Sequence, residues 1–111
     1  MPIQPIFLGQ ARPANTTAVS IYSPAVGVTG IIKSVNICNT GAALVQARIF
    51  YDNTGTTYDE STALLWDRDI LPGQTLKLSV YWPSEQTVAN FAVRTSIAND
   101  LTFTFFGAEE T

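Results

Sequence analysis

The chain has 111 residues, enough for one domain with its own core and too few for two. Charged residues make up 14% of it, against about 25% in an average globular chain, and the net charge is −3. The six cations (Arg12, Lys33, Arg48, Arg68, Lys77 and Arg94) stand singly along the chain, which excludes the clustered positive charge that nucleic acid or an anionic membrane surface requires.

Residues 1–16 hold Pro2, Pro5 and Pro13 and read as an extended N-terminal arm, either an edge strand or a free segment, because proline removes a ladder donor. Ile3, Ile6, Phe7 and Leu8 give this arm large apolar side chains that water tolerates poorly. They either fold back over the open end of the domain or dock onto a neighbouring chain by strand addition or arm exchange. The domain proper is expected over 17–111.

Within it, alternation with period two recurs, which is the strand signature. Thr17 to Tyr22 forms the first strand. Thr29 to Asn39 forms the next, with Ile31, Val35 and Ile37 on one face and Ile32, Ser34, Asn36 and Cys38 on the other. The pair Thr40–Gly41 is a turn signal, so Leu44 to Tyr51 reads as the hairpin partner of the preceding strand. Asp52 to Thr57 is a loop. Ser61 to Ile70 reads as a strand, with one or two helical turns opening at Asp59 as the alternative.

Leu71–Pro72–Gly73–Gln74 is a second turn. Leu76, Leu78, Val80 and Trp82 then share a face, which assigns Trp82 to the core and turns Tyr81 outward. Phe91 to Ser96 and Leu101 to Phe105 complete the set, the last with a strongly apolar face. The fold class expected is all-β: a single antiparallel β-sandwich or jelly roll of about seven or eight strands.

Cys38 is the only cysteine, so no intrachain disulfide forms; it reads as a small packing residue, and the composition fits assembly in a reducing cytoplasm. Met1 to Phe7 lacks the basic cluster and apolar run of a signal peptide, and no stretch approaches the ~18 apolar residues of a membrane-spanning helix. With no histidine, the common general base and the triads built on it are missing, and one cysteine does not make a zinc site.

Carboxylate pairs remain. Asp67 and Asp69 would point the same way from a regular strand about 7 Å apart, a spacing a glycosidase uses, against the plainer reading of a solvated charged edge. Asp59 and Glu60 are the other close pair. Asp52–Asn53–Thr54–Gly55 with Asp59 offers oxygen ligands for calcium but lacks a calcium loop's spacing. No catalytic residue, cofactor or metal ligand is therefore assigned.

Thr, Asn, Ser, Gln and Ala replace the missing charge, and small neutral polar groups are cheap to desolvate. That composition reads either as broad contact with other protein or as the solvent face of an ordinary β protein. Ile3, Ile6, Phe7, Leu8, Tyr81 and Trp66 are the candidate partner-binding residues. Tyr58, Tyr81 and Trp66, near Asp59 or Asp67, are the rings available for a carbohydrate site.

Several short motifs resemble those of small virion proteins of tailed bacteriophages. They are Leu8–Gly9–Gln10, the Thr-rich strand Thr16 to Tyr22, the triplet Cys38–Asn39–Thr40, the Leu71–Pro72–Gly73 turn before a Thr/Leu strand, and an aromatic strand running into Gly107 and acidic residues. The resemblance implies a β-sandwich that is a structural part of the particle, with no catalytic residues.

The expected role is that of a capsid decoration or cement protein, not an enzyme, made in the host bacterial cytoplasm and carried on the capsid surface of the virion. Its partners would be the major capsid protein and copies of itself, a trimer being favoured by symmetry matching on a local threefold axis. Neither nucleic acid nor membrane is expected as a partner. The alternative is a tail- or fibre-associated module that binds carbohydrate or a receptor.

Overall fold

The computed structural model describes residues 3–85 and 88–110, with Ile3, Gln4 and Pro5 described by their backbone alone. It has eight strands: β1 (Ile3–Ala11), β2 (Val19–Tyr22), β3 (Thr29–Asn39), β4 (Val45–Asp52), β5 (Ala63–Ile70), β6 (Thr75–Ser84), β7 (Asn90–Thr95) and β8 (Leu101–Glu110). They form two four-stranded sheets, ordered β1-β8-β3-β6 and β2-β7-β4-β5, with antiparallel pairing throughout. The chain crosses between sheets at every connection except β4–β5, so each sheet is assembled largely from strands remote in sequence. Eight strands wound in this order make a jelly roll. Among the described residues no helix is long and apolar enough to cross a membrane.

Turn chemistry explains several boundaries. At Leu71–Gln74 the fixed φ of Pro72 and the positive φ of Gly73 (77°) suit a type II turn, which the Gln74 N–H closes on the Leu71 carbonyl at 3.0 Å. The stretch before β5 resolves into both elements weighed for it. Glu60–Thr62 is one 3₁₀ turn capped by the Asp59 side chain, and a strand runs from Ala63 to Ile70.

Two expectations are corrected. The first is the hairpin of β3 with β4, which lie in different sheets. The segment after β3 is a corner pinned by the buried Asn39 side chain. Its amide nitrogen donates to the carbonyls of Ala43 (2.8 Å) and Ile70 (2.9 Å), and its oxygen accepts from the Gly41 N–H (2.9 Å). A buried amide with all three bonds made carries the chain across the sandwich, and both edges of β3 go to β6 and β8.

The second concerns the faces of β3. Its register against β8 slips between Ile32 and Ser34, a bulge at Lys33. One extra residue reverses the parity, so Ile32 joins Val35 and Ile37 in the core and Ile31 stays outside the core cluster.

Phe91 of β7 lies at the centre of the core. Its ring meets Tyr51 (centroids 4.6 Å apart), Tyr22 (6.2 Å), Trp82 (6.3 Å) and Phe105 (6.3 Å), side chains drawn from both sheets. The Tyr22 hydroxyl donates to Glu109 at 2.7 Å; burial first, then the glutamate, keeps that phenol protonated far beyond its ordinary range.

Candidate interaction surfaces

The cross-strand register builds the outer face of the β1-β8-β3-β6 sheet row by row. Phe7, Phe106, Ser34 and Ser79 make one row across all four strands. Gln10, Thr104, Asn36 and Lys77 make the next, and Thr102, Cys38 and Thr75 a third. Lys77 is the one charged residue in these three rows. Phe7 and Phe106, 57% and 38% exposed, meet edge to face with centroids 6.2 Å apart and form an aromatic rise at the β1 side. Beside them Gln10 donates to the Thr104 hydroxyl at 3.0 Å. A partner that covers these rows strips water from hydroxyls, amides and rings, with the ammonium of Lys77 in the rows and that of the exposed Lys33 at the bulge beside them.

The opposite sheet is built differently. Arg48 of β4 lies over the Trp66 ring of β5, 3.6 Å from its centroid, and Trp66 in turn meets Phe50 edge-on. Arg48 donates through Nε and Nη2 to the two carboxylate oxygens of Asp67, at 2.5 and 3.1 Å. This pairing, with Arg94 adding to it, holds the Asp67 carboxyl below the ordinary carboxylate range. Asp67 has a left-handed backbone (φ 50°), uncommon for a residue within a strand, and this turns it out of the alternation. Arg94 of β7 sits directly opposite Arg48 in the ladder and donates through Nε to the Thr16 carbonyl at 2.6 Å. Between them is an open hollow of about 110 Å³ lined by Gln46, Arg48, Asp67, Arg94, Thr95 and Ser96.

No family model matches the chain, and neither does any curated protein. Among solved structures it is similar to infectious bursal disease virus. The Gx strain structure gives a TM-score of 0.48 at 13% identity, the VP2 subviral particle 0.46 at 14%, and the Gt strain structure 0.43 at 12%. Each match covers 97% of this chain, which spans only about a third (31–32%) of the matched chain's length. Two packed four-stranded sheets give a likeness of this size whatever their role, so it carries nothing about function.

The residues expected to meet a partner fall in different places. Ile3 lies on β1, but its side chain is outside the described residues. Ile6 and Leu8 are half-buried, and Leu8 packs against the core. Phe7 faces out beside Phe106, a neighbour 99 positions away that sequence reasoning did not find. Over Ile3–Ala11 the expected arm is the edge strand β1, laddered to β8 of its own chain. Tyr81 is 66% exposed on the edge strand β6, and Trp82 packs on the core, as the alternation of that strand requires. Trp66, 41% exposed, belongs to the other sheet, so Tyr81 and Trp66 do not share a platform; Tyr58 and Trp66 both pack on Phe50.

The carboxylates are engaged separately. Asp67 holds Arg48, Asp69 accepts from Gln46 at 3.2 Å, and Asp59 caps the 3₁₀ turn. Asp52 accepts from the N–H groups of Thr54 (3.0 Å) and Thr57 (2.7 Å), which hold its carboxyl down. Among the described residues, no three His, Cys, Asp or Glu side chains gather as a metal site.

The Asp67 pairing makes stability depend on acid. A carboxyl whose folded pKa lies below its unfolded value, about 3.9, contributes stability that is complete above that value and lost as pH falls through the folded one. The melting temperature of Asp67→Asn is therefore expected to lie below that of the native chain at pH 7, with the gap narrowing as the pH falls below the unfolded value. Two melting curves that stay parallel from pH 7 to pH 2.5 would show that the pairing adds nothing.

Proposed function

We propose that this chain is a structural, non-catalytic protein of a virus particle, acting as a capsid decoration or cement protein of a tailed bacteriophage. The observation that carries the reading is the outer face of the β1-β8-β3-β6 sheet, where the three rows from Phe7 to Thr75 hold one charge, Lys77, and the Phe7–Phe106 rise stands at the β1 side. The motif resemblance and the jelly-roll winding, which recurs among viral shell domains, support it by analogy.

The mechanism is mechanical. Each copy sits over a junction between capsid subunits and buries surface on two or more of them, on the order of 1,000 Å² in all. Separating the junction then requires exposing that surface again, and many copies acting together multiply the cost. Copies gathered as trimers would match a local threefold axis of the shell.

The test returns purified protein to particles that lack it and measures occupancy. Phe7→Asp and Thr104→Lys each place an unpaired charge on this face; it is solvated in the free protein and must be stripped on docking. Each is expected to lower occupancy at least tenfold at equal concentration, while the melting temperature stays near the native value. Arg68→Ala, on β5 of the other sheet, is expected to leave occupancy unchanged. Native-like occupancy of both face variants would remove the basis of the proposal.

A further inference from the structure

Arg48 and Arg94 face each other across the β4–β7 ladder, and like charges directly opposite destabilise a sheet unless something answers them. Asp67 answers one. Two guanidinium groups against one carboxylate give the lining an excess of one positive charge, since Gln46, Thr95 and Ser96 are neutral; Glu60, which acts on Arg48, and Asp69, which accepts from Gln46, stand outside it. Both cations are positioned without any ligand. Arg48 is held between the Trp66 ring and Asp67, and Arg94 by the Thr16 carbonyl. Arg94 spends only Nε on that bond, so the two terminal nitrogens of its planar fork remain as donors. Donors fixed in advance bind an anion at little ordering cost.

We propose that this hollow is a carboxylate site, which takes one Asp or Glu side chain from a partner protein. Charge selects the ligand class: one carboxylate neutralises the lining, whereas a phosphoryl dianion would leave it negative, with Glu60 and Asp69 adding to the repulsion from close by. Size agrees, because an open hollow of about 110 Å³ has room for a carboxylate head. The site lies on the sheet opposite the weakly charged face and is a property of the free chain, so it stands or falls apart from the particle role.

The test is a titration of the purified protein with sodium acetate, with ionic strength held constant by sodium chloride. Binding is followed through the ¹⁵N–¹H resonances of the Arg48 and Arg94 side chains. Saturable shifts centred on the hollow are expected. Arg94→Gln should weaken acetate binding at least fivefold, and Arg94→Lys, which keeps the charge and loses the fork, should also bind less tightly than the native chain. Asp67→Asn should tighten binding at least threefold by removing the internal competitor. Arg68→Gln, outside the hollow, should match the native protein.

Native-like affinity in Arg94→Gln overturns the site. So does equal weakening in Arg68→Gln, or identical shifts with chloride alone. Inorganic phosphate binding more tightly than acetate overturns the carboxylate assignment in favour of a phosphoryl group.

Discussion

Replacing Phe91 by alanine is expected to lower the unfolding free energy by about 4 kcal/mol and the melting temperature by about 17 °C. The ring is buried at the middle of the sandwich and touches four other aromatic rings, two from its own sheet and two from the facing one. Alanine removes the apolar surface and leaves a cavity between two laddered sheets that cannot collapse far without breaking hydrogen bonds. A domain of this size holds on the order of 5–15 kcal/mol in all, so the variant loses a large share of its stability. Phe91→Leu keeps most of the volume and is expected to cost about 1.5 kcal/mol. Denaturant titration of the three proteins measures both differences. An alanine variant within ~1.5 kcal/mol of the native chain would mean that the two sheets do not meet on this ring.

The second large effect is expected at Gly107, where alanine should cost about 3 kcal/mol, the upper end of ordinary overpacking. A Cβ at that position would fall on the Ile31 carbonyl oxygen and press on Leu8 Cδ1. The first is backbone of β3, fixed by its ladder to β8, so relief requires separating two central strands of the sheet. Gly107 pairs with Ile32 beside the bulge at Lys33, and the residue before it is Phe106. A strained β8 at this point should therefore also disturb the aromatic rise of the interaction face. Gly55→Ala is the control: its added Cβ would meet nothing nearer than an Asp52 oxygen at 3.6 Å, and a change within ~0.5 kcal/mol is expected. Equal losses in the two variants would show that the close approach of β3 to Gly107 is not what requires a glycine.

The two predictions bear on the interaction face differently. Phe91 sets how firmly the sheets hold together, and its loss lowers stability without adding charge to the outer surface. Gly107 sets the local path of the strand that carries Phe106, so at a temperature where both variants are folded, Gly107→Ala should bind its partner less well than Phe91→Leu.

Much of the strand inventory was legible because its causes are local. The span Thr29–Asn39, the face shared by Leu76, Leu78, Val80 and Trp82, and the Leu71–Gln74 turn are each determined by side chains and turn residues a few positions apart. So was the low charge of the chain as a whole. What only the tertiary structure decided is where that low charge collects. Phe7 meets Phe106, and Gln10 meets Thr104, through a β1–β8 register between the two ends of the chain. Arg48 meets Arg94 through the β4–β7 ladder. The bulge at Lys33, which sends Ile32 inward, and the Asn39 corner, which replaces a hairpin by a crossing, arise from how whole sheets pack. Backbone preference acts over a few residues, whereas register is selected by burial of the whole core. A period-two pattern therefore names the two faces of a strand but cannot name its neighbour.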